Sequence, residues 1–200
     1  MTQAHQERLR ASGLLAGSVV AVLLEQHTEI RELFTQTMAA QGEARQRAFD
    51  ELRELLAVHE AGEEIVVRPV TGEYAGGDVA PARNDEEQQA AAALAELEKL
   101  TVAGPEFATG LAALERAVSD HADAEESLEF PMILARVEAD KQLAMGSRLL
   151  KVQRMAPTHP HPAVTGSSAA QKTVGPFAAL LDRARDAFVE ATRDRDAGPR

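Results

Sequence analysis

The segment HEAGEEIVVRP at residues 59–69 recurs in outline as HADAEESLEFP at residues 121–131. Each copy holds a histidine at its first position, a glutamate four residues later and a proline ten residues after the histidine. In an α-helix, residues four apart lie one above the other, with side chains that start about 6 Å apart. Each His-x-x-x-Glu pair can therefore reach into one cavity from a single helix.

Amphipathic helices are predicted around both copies, because apolar residues recur every three to four positions. Glycine and proline residues separate four such segments, at about 18–40, 43–68, 82–100 and 105–130. The face of the fourth segment is expected to carry Phe107, Leu111, Leu114, Val118, His121, Glu125 and Leu128. Four amphipathic helices with short connections predict an all-α, up-down-up-down four-helix bundle.

Further helices are expected after the bundle. Helical pattern resumes after Pro131 and runs to about Met155. The proline- and histidine-containing stretch that follows predicts an extended linker. We therefore divide the chain into a bundle with a helical extension at 1–155 and a linker with an amphipathic C-terminal helix at 156–200. The apolar stripe of the last helix needs a partner surface, either its own bundle or a second copy, so we expect a monomer or a homodimer.

Composition excludes several classes of function. The formal net charge of the 200 residues is -11, which disfavours binding to nucleic acid or to an anionic membrane. Cysteine is absent, so disulfides, thiolate zinc sites and iron–sulfur clusters are excluded. The apolar run at 13–24 follows Arg8 and Arg10 in the manner of a secretory signal. It continues at helical spacing through His27, however, which favours a core helix and a cytoplasmic protein.

Three histidines and two glutamates lie on faces that should be purely apolar. Taken singly, each is more often an ordinary core histidine or a surface side-chain pair than a metal ligand. Together they would bury several polar groups at once, and an uncompensated carboxylate in a core costs several kcal/mol. Metal cations remove that cost, and imidazole with carboxylate suits Fe, Mn or Zn. The five candidate ligands, which suggest two metal ions, are His27, His59, Glu63, His121 and Glu125.

The pattern resembles the hemerythrin/HHE cation-binding family over about residues 18–135. That family carries a histidine on its first helix, His-x-x-x-Glu on its second, and His-x-x-x-Glu followed by a proline on its fourth. The resemblance implies the same five residues as ligands of two non-haem iron ions, with Glu63 and Glu125 as the bridging carboxylates. The order His then Glu also differs from the Glu-x-x-His of ferritin-type proteins.

Three further ligands are considered from this resemblance. The family usually carries a histidine on its third helix, where this chain has an acidic stretch in which Glu87 fits best by helical phase; the alternative is a solvated cluster stabilised by the helix dipole. Actinobacterial hemerythrin-like proteins also share a C-terminal Pro-His-Pro segment, in which His161 could cap the open end of the site. Tyr74 could supply a phenolate from the loop between the second and third helices. Exposed imidazoles and ordinary packing are the alternatives for these two residues.

Several functions suit such a site. An incomplete ligand shell leaves positions for O2, peroxide or nitric oxide, and a carboxylate in place of the third-helix imidazole favours ferric iron and redox chemistry on peroxide or nitrogen oxides. The C-terminal appendage favours the alternative of a sensor or binding protein for O2 or nitric oxide. Iron buffering ranks third and metal-driven hydrolysis below it. A purely structural helical protein remains the fallback, and it predicts that the purified chain binds no iron.

Overall fold

The computed structural model describes residues 13–74, 79–155 and 177–196, and its regular elements in these ranges are all helical. The helices are α1 (Val19–Ala39), α2 (Gly42–Gly62), α3 (Arg68–Tyr74), α4 (Val79–Leu97), α5 (Pro105–Ala124), α6 (Phe130–Arg136), α7 (Ala139–Met155) and α8 (Phe177–Asp196). Two π-helical turns, Glu63–Val67 and Glu125–Glu129, join α2 to α3 and α5 to α6. The predicted all-α bundle with additional C-terminal helices is confirmed.

Local sequence explains where the first two helices begin. The hydroxyl of Ser18 accepts a hydrogen bond from the backbone N–H of Ala21 and so caps the N-terminus of α1. Only two residues separate α1 from α2, and Gly42 adopts a φ of 54° at the turn. A glycine adopts this left-handed conformation at little steric cost. Gly42 therefore makes the turn from which the second helix runs.

Both prolines of the repeated motif lie inside continuing helices, contrary to the sequence prediction that Pro69 and Pro131 would stop them. A proline ring clashes with the carbonyl four residues earlier in a regular α-helix. Just before each proline the hydrogen bonds shift to a spacing of five residues, from Arg68 N–H to the Glu63 carbonyl and from Phe130 N–H to the Glu125 carbonyl. We attribute the uninterrupted helices to these wider turns, which give the proline rings room.

The π turn also changes which residues face the core. Leu128 was expected on the buried face of the fourth helix, but its side chain is 62% exposed. Glu129 is buried in its place, at 6% exposure. The π turn contains one additional residue, so every later side chain is shifted by one position around the helix. A prediction that assumes a regular helical period misses this shift.

The polar cluster of the repeated motif separates two parts of the hydrophobic core. One part joins the start of α1 to α7 and α8 and includes Leu23 and Phe188. The other joins the rest of α1 to α2, α4 and α5 and includes Phe34 and Phe107. His27 lies on α1 between the two parts, and the candidate ligands of α2 and α5 lie at the same level.

The apolar stripe of the C-terminal helix packs on its own bundle, one of the two surfaces expected from the sequence. Phe188 of α8 is fully buried, and its ring lies so close to Gly62 that a Cβ atom there would be 3.2 Å away. Arg185 donates to the carboxylate of Glu64 at 2.7 Å. Phe177 N–H, at the start of α8, donates to Glu98 at 2.7 Å. The domain division at residue 155 stays a prediction.

The connections differ from the predicted ones in two places. The loop expected after Pro69 is largely helical, since α3 extends to Tyr74 and α4 already begins at Val79. The helix expected from residue 132 to 155 is interrupted at Val137, which is extended. In the described part of the chain, no helix is both long enough and apolar enough to cross a membrane.

Candidate metal centre

Five side chains from three bundle helices converge between the two apolar clusters. His27 comes from α1, His59 from the last turn of α2, and His121 from the last turn of α5. Glu63 and Glu125 are the first residues of the two π-helical turns. All five are 1–8% exposed, so the centre is closed off from bulk water.

The two carboxylates each lie between two histidines. Glu63 has one oxygen 3.4 Å from Nε2 of His59 and the other 3.8 Å from Nε2 of His121. Glu125 has one oxygen 3.5 Å from Nε2 of His27 and the other 3.3 Å from Nε2 of His121. Ligand atoms of His27, His59, Glu63 and Glu125 all lie within 4.8 Å of one another. These four residues can hold a metal ion. His121 lies beside them, with Nε2 within 3.8 Å of both carboxylates.

The outer nitrogen of each histidine lies beside an oxygen acceptor. The Nδ1 atom of His27 is 2.9 Å from the carboxylate of Glu126, and that of His59 is 3.1 Å from the amide oxygen of Gln26. The Nδ1 atom of His121 is 3.0 Å from the carboxylate of Glu86. These oxygens can only accept, so Nδ1 donates in each pair. A neutral ring then keeps the lone pair of Nε2 directed at the centre, as metal-binding histidines require.

Several inner atoms have no hydrogen-bond partner among the described residues. They are Nε2 of His27, Nε2 of His121, both oxygens of Glu63 and one oxygen of Glu125. A buried polar atom without a hydrogen bond costs about 1–3 kcal/mol, and a charged one costs more. Five such atoms directed at one point fit a site for a cation better than they fit a folded core.

The electrostatics of the metal-free cluster show how strongly the carboxylates act. Burial lowers the pKa of His121, but the carboxylates of Glu125 and Glu63 outweigh it and raise the pKa to about 12. Burial likewise opposes the effect of Glu125 and Glu126 on His27, whose pKa rises to about 9. For His59 burial prevails and the pKa falls to about 4. Without metal, protonated imidazoles therefore supply the positive charge that the carboxylates need.

A small cavity of about 20 Å³ adjoins the three histidines. Its wall is partly apolar, from Ile30, Ala90 and Val118. Polar groups of Arg31 and Ser119 also line it. One water-sized sphere needs about 10–15 Å³, so the cavity admits a molecule of one or two non-hydrogen atoms beside the five converging side chains.

The side chains of the three further candidates lie outside the part of the chain that the structure describes. Tyr74 is the last residue of α3 and not part of a loop, and its side chain lies outside the described residues. The side chain of Glu87 is also outside them, although its backbone belongs to α4. His161 falls in the stretch 156–176, which the structure does not describe. Their roles as ligands stay predictions.

Sequence reasoning missed the outer partners of the histidines. Glu126 follows a predicted ligand directly, and Arg31 holds it through a contact of 3.3 Å. Gln26 precedes His27 and accepts from a different histidine, on α2. Glu86 lay within the acidic stretch that was noted, but the neighbouring residue was preferred. Their position next to predicted ligands in the sequence could have pointed to Gln26 and Glu126, because the side chain next to a ligand often faces the neighbouring helix.

Comparison with known proteins agrees with this geometry. The model of the hemerythrin HHE cation-binding domain matches residues 18–133, more than half of the chain. The matched segment contains α1 to α5, both π turns and all five converging side chains. The chain therefore belongs to the hemerythrin HHE cation-binding domain family.

A curated relative carries the same family name. An uncharacterised hemerythrin-like protein of Schizosaccharomyces pombe is 29% identical over 134 residues, which is 66% of this chain and 66% of the yeast protein. The chain thus matches just under two thirds of that relative's length. No solved structure gives a significant match.

Proposed function

We propose that this chain is a non-haem di-iron protein that reacts with peroxide. The proposed ligands of the iron pair are His27, His59, Glu63, His121 and Glu125. The observation that carries the proposal is the convergence of inner nitrogen and oxygen atoms that are buried without hydrogen bonds. Iron suits this mixture of imidazole and carboxylate donors.

The carboxylate positions support two ions rather than one. Glu63 and Glu125 each direct their two oxygens at two different imidazoles. A carboxylate held in this way can bridge two metal ions, and we propose that both do so. The imidazoles of His27, His59 and His121 would complete the ligand set.

Peroxide is favoured over reversible oxygen carriage for two reasons. The donor set includes two carboxylates, and the family's usual third-helix histidine has no counterpart between His59 and His121, which lowers the share of neutral imidazole. An anionic set stabilises ferric iron, which does not bind O2 reversibly. When bound, a ferrous pair supplies the two electrons that cleavage of an O–O bond requires.

The protein's own residues would orient the site and admit the substrate. Glu126, Gln26 and Glu86 fix the ring orientation of the three histidines, because each accepts from an Nδ1–H group. The small cavity beside the rings has room for hydrogen peroxide. Burial of the five inner side chains keeps bulk water away from them, which strengthens every charge interaction inside.

Metal analysis with an ultraviolet-visible spectrum of anaerobically purified protein tests the proposal. We expect two iron ions per chain, oxidation by peroxide, and repeated turnover when reductant or further peroxide is supplied. His59→Ala and His121→Ala should abolish the iron spectrum, and His5→Ala, outside the matched family segment, should leave it unchanged. If all three variants keep their iron, the ligand assignment fails.

A sensor for O2 or nitric oxide is the second candidate, and the position of α8 favours it. Three consecutive residues connect the centre to this helix: Gly62 packs against Phe188, Glu63 faces the centre, and Glu64 binds Arg185. A shift of the π turn on ligand binding would therefore reach α8 directly. A stable spectral adduct without turnover, with altered proteolysis of α8, would favour the sensor. Iron buffering ranks third, after the peroxide and sensor functions.

A further inference from the structure

A second and larger cavity adjoins the one beside the histidines. Its volume is about 380 Å³, and it lies among α2, α4, α5 and α8. Small-molecule sites in proteins typically measure about 300–1,000 Å³. The apolar wall consists of Leu56, Ala91, Leu94, Leu114, Phe177 and Leu181.

The two cavities share part of their walls. Glu60, Ala90 and Val118 line both of them. The two cavities are therefore neighbours, and an opening at these three residues would let a molecule in the larger cavity place one end beside the three histidines. The small cavity is too narrow for an organic group, so only a terminal group of a few atoms can enter it.

The charges around the larger cavity offset one another. Arg185 and Arg68 lie at its polar side together with Glu60 and Glu64. The guanidinium of Arg185 is already bound to Glu64 at 2.7 Å. Two cations beside two anions give no net attraction for an ion. The cavity thus favours an uncharged molecule with an apolar body.

We propose that this cavity binds the organic part of a neutral alkyl or aryl hydroperoxide and directs its hydroperoxyl end into the small cavity. The inference rests on the proposed peroxide chemistry and names its substrate class. A hydroperoxide is uncharged near neutral pH, apolar along its body and polar at one end, which matches a largely apolar cavity beside a small one lined by histidines.

The reaction balances as a two-electron reduction. The hydroperoxide accepts two electrons from the ferrous iron pair and two protons from solvent. Its O–O bond breaks, and the products are the corresponding alcohol and water. A dithiol, or two molecules of a thiol, is the external reductant: its oxidation to a disulfide releases two protons and returns two electrons for the next turnover.

Binding is tested without turnover on the iron-loaded chain. The probe is 2-phenyl-2-propanol, the alcohol that cumene hydroperoxide yields, and isothermal titration calorimetry measures its affinity. Ala91→Phe places a ring in the cavity and should weaken binding at least tenfold. Ala92→Phe is the matched control, because the exposed neighbour Ala92 faces solvent on the same helix and does not line the cavity.

Reaction rates provide the second measurement. In Ala91→Phe, kcat/KM should fall at least tenfold for cumene hydroperoxide and stay unchanged for hydrogen peroxide, whereas Ala92→Phe should leave both rates unchanged. Ala91→Leu, which adds less volume, replaces Ala91→Phe if circular dichroism shows that the phenylalanine variant is unfolded.

Each outcome is decisive. Absence of alcohol binding, or an equal loss of both rates in Ala91→Phe, overturns the organic-hydroperoxide proposal and leaves the reaction with hydrogen peroxide standing. Alcohol binding without reaction of either peroxide overturns the proposed function instead, and the hydroperoxide assignment with it.

Discussion

The carboxylate of Glu86 lies 3.0 Å from Nδ1 of His121 and connects α4 to the metal centre. The third helix of the bundle, α4, therefore contributes a hydrogen-bond acceptor for the outer nitrogen of His121. The Glu86 side chain is 42% exposed, whereas that of His121 is 8% exposed, so the pair leads from solvent to the buried centre.

Removal of this carboxylate should weaken metal binding. We expect Glu86→Ala to lower iron affinity about 10–100-fold, since outer partners of metal-bound histidines have effects of this size. Glu86→Gln should lie between wild type and Glu86→Ala, because its amide oxygen still accepts from Nδ1. Competition with a chelator measures the affinities. Glu96→Ala, an exposed substitution on the same helix, is the control. Equal affinities of Glu86→Ala and Glu96→Ala would contradict the positioning role.

The convergence of the five inner side chains could be predicted from sequence because it depends only on helical period. His59 and Glu63 are one turn apart, as are His121 and Glu125, and apolar neighbours mark the buried face. The phase after each π turn could not be predicted. The wider turn at Glu125 moved Leu128 outward, and a period of 3.6 residues contains no signal for that change.

The choice between Glu86 and Glu87 illustrates a second limit. One residue corresponds to a rotation of about 100° around a helix, so adjacent positions point in clearly different directions. The run of four alanines at 90–93 gives α4 little contrast between its faces. Helical phase is therefore weakly defined where the third-helix ligand was sought.

The contact between Gly62 and α8 should be sensitive to a single methyl group. In Gly62→Ala the new Cβ atom would lie 2.7 Å from Leu149 and 3.2 Å from Phe188. Overpacking of this kind costs about 1–3 kcal/mol. Urea unfolding should show a corresponding loss of stability. Gly72→Ala is the matched control, because nothing lies within 4 Å of its Cβ position. A Gly62→Ala variant as stable as Gly72→Ala would show that Leu149 of α7 and Phe188 of α8 do not pack this closely in solution.

Glu54 should make stability depend on pH. Burial, followed by the nearby charge of Asp50, raises the pKa of this carboxyl group to about 7. The folded state thus favours the protonated form. The resulting stabilisation is complete below the ordinary value of 4.5 and is lost as the pH rises through 7.

Glu54→Gln should therefore be more stable than wild type at pH 8, by about 1 kcal/mol at most, because the half-exposed group is screened by water. This corresponds to a Tm rise of about 2–4 °C at pH 8 and to little change at pH 5. Thermal unfolding of both proteins in the same buffers measures the difference. Glu43→Gln is the control, since the Glu43 side chain is 86% exposed on the same helix. A Tm difference that is equal at pH 5 and pH 8 would argue against burial of Glu54.

Removal of the metal should lower stability more than any of these substitutions. A ligand present at about 1,000 times its dissociation constant stabilises the folded state by about 4.1 kcal/mol. For a protein of this size, a chelator should then lower Tm by about 8–16 °C. The remaining stability reflects protonated His27 and His121, which keep Glu63 and Glu125 partly compensated. In His59→Ala, chelation should leave Tm unchanged, because the variant is expected to bind no iron. If the chelator shifts both proteins equally, it acts at a place other than this centre.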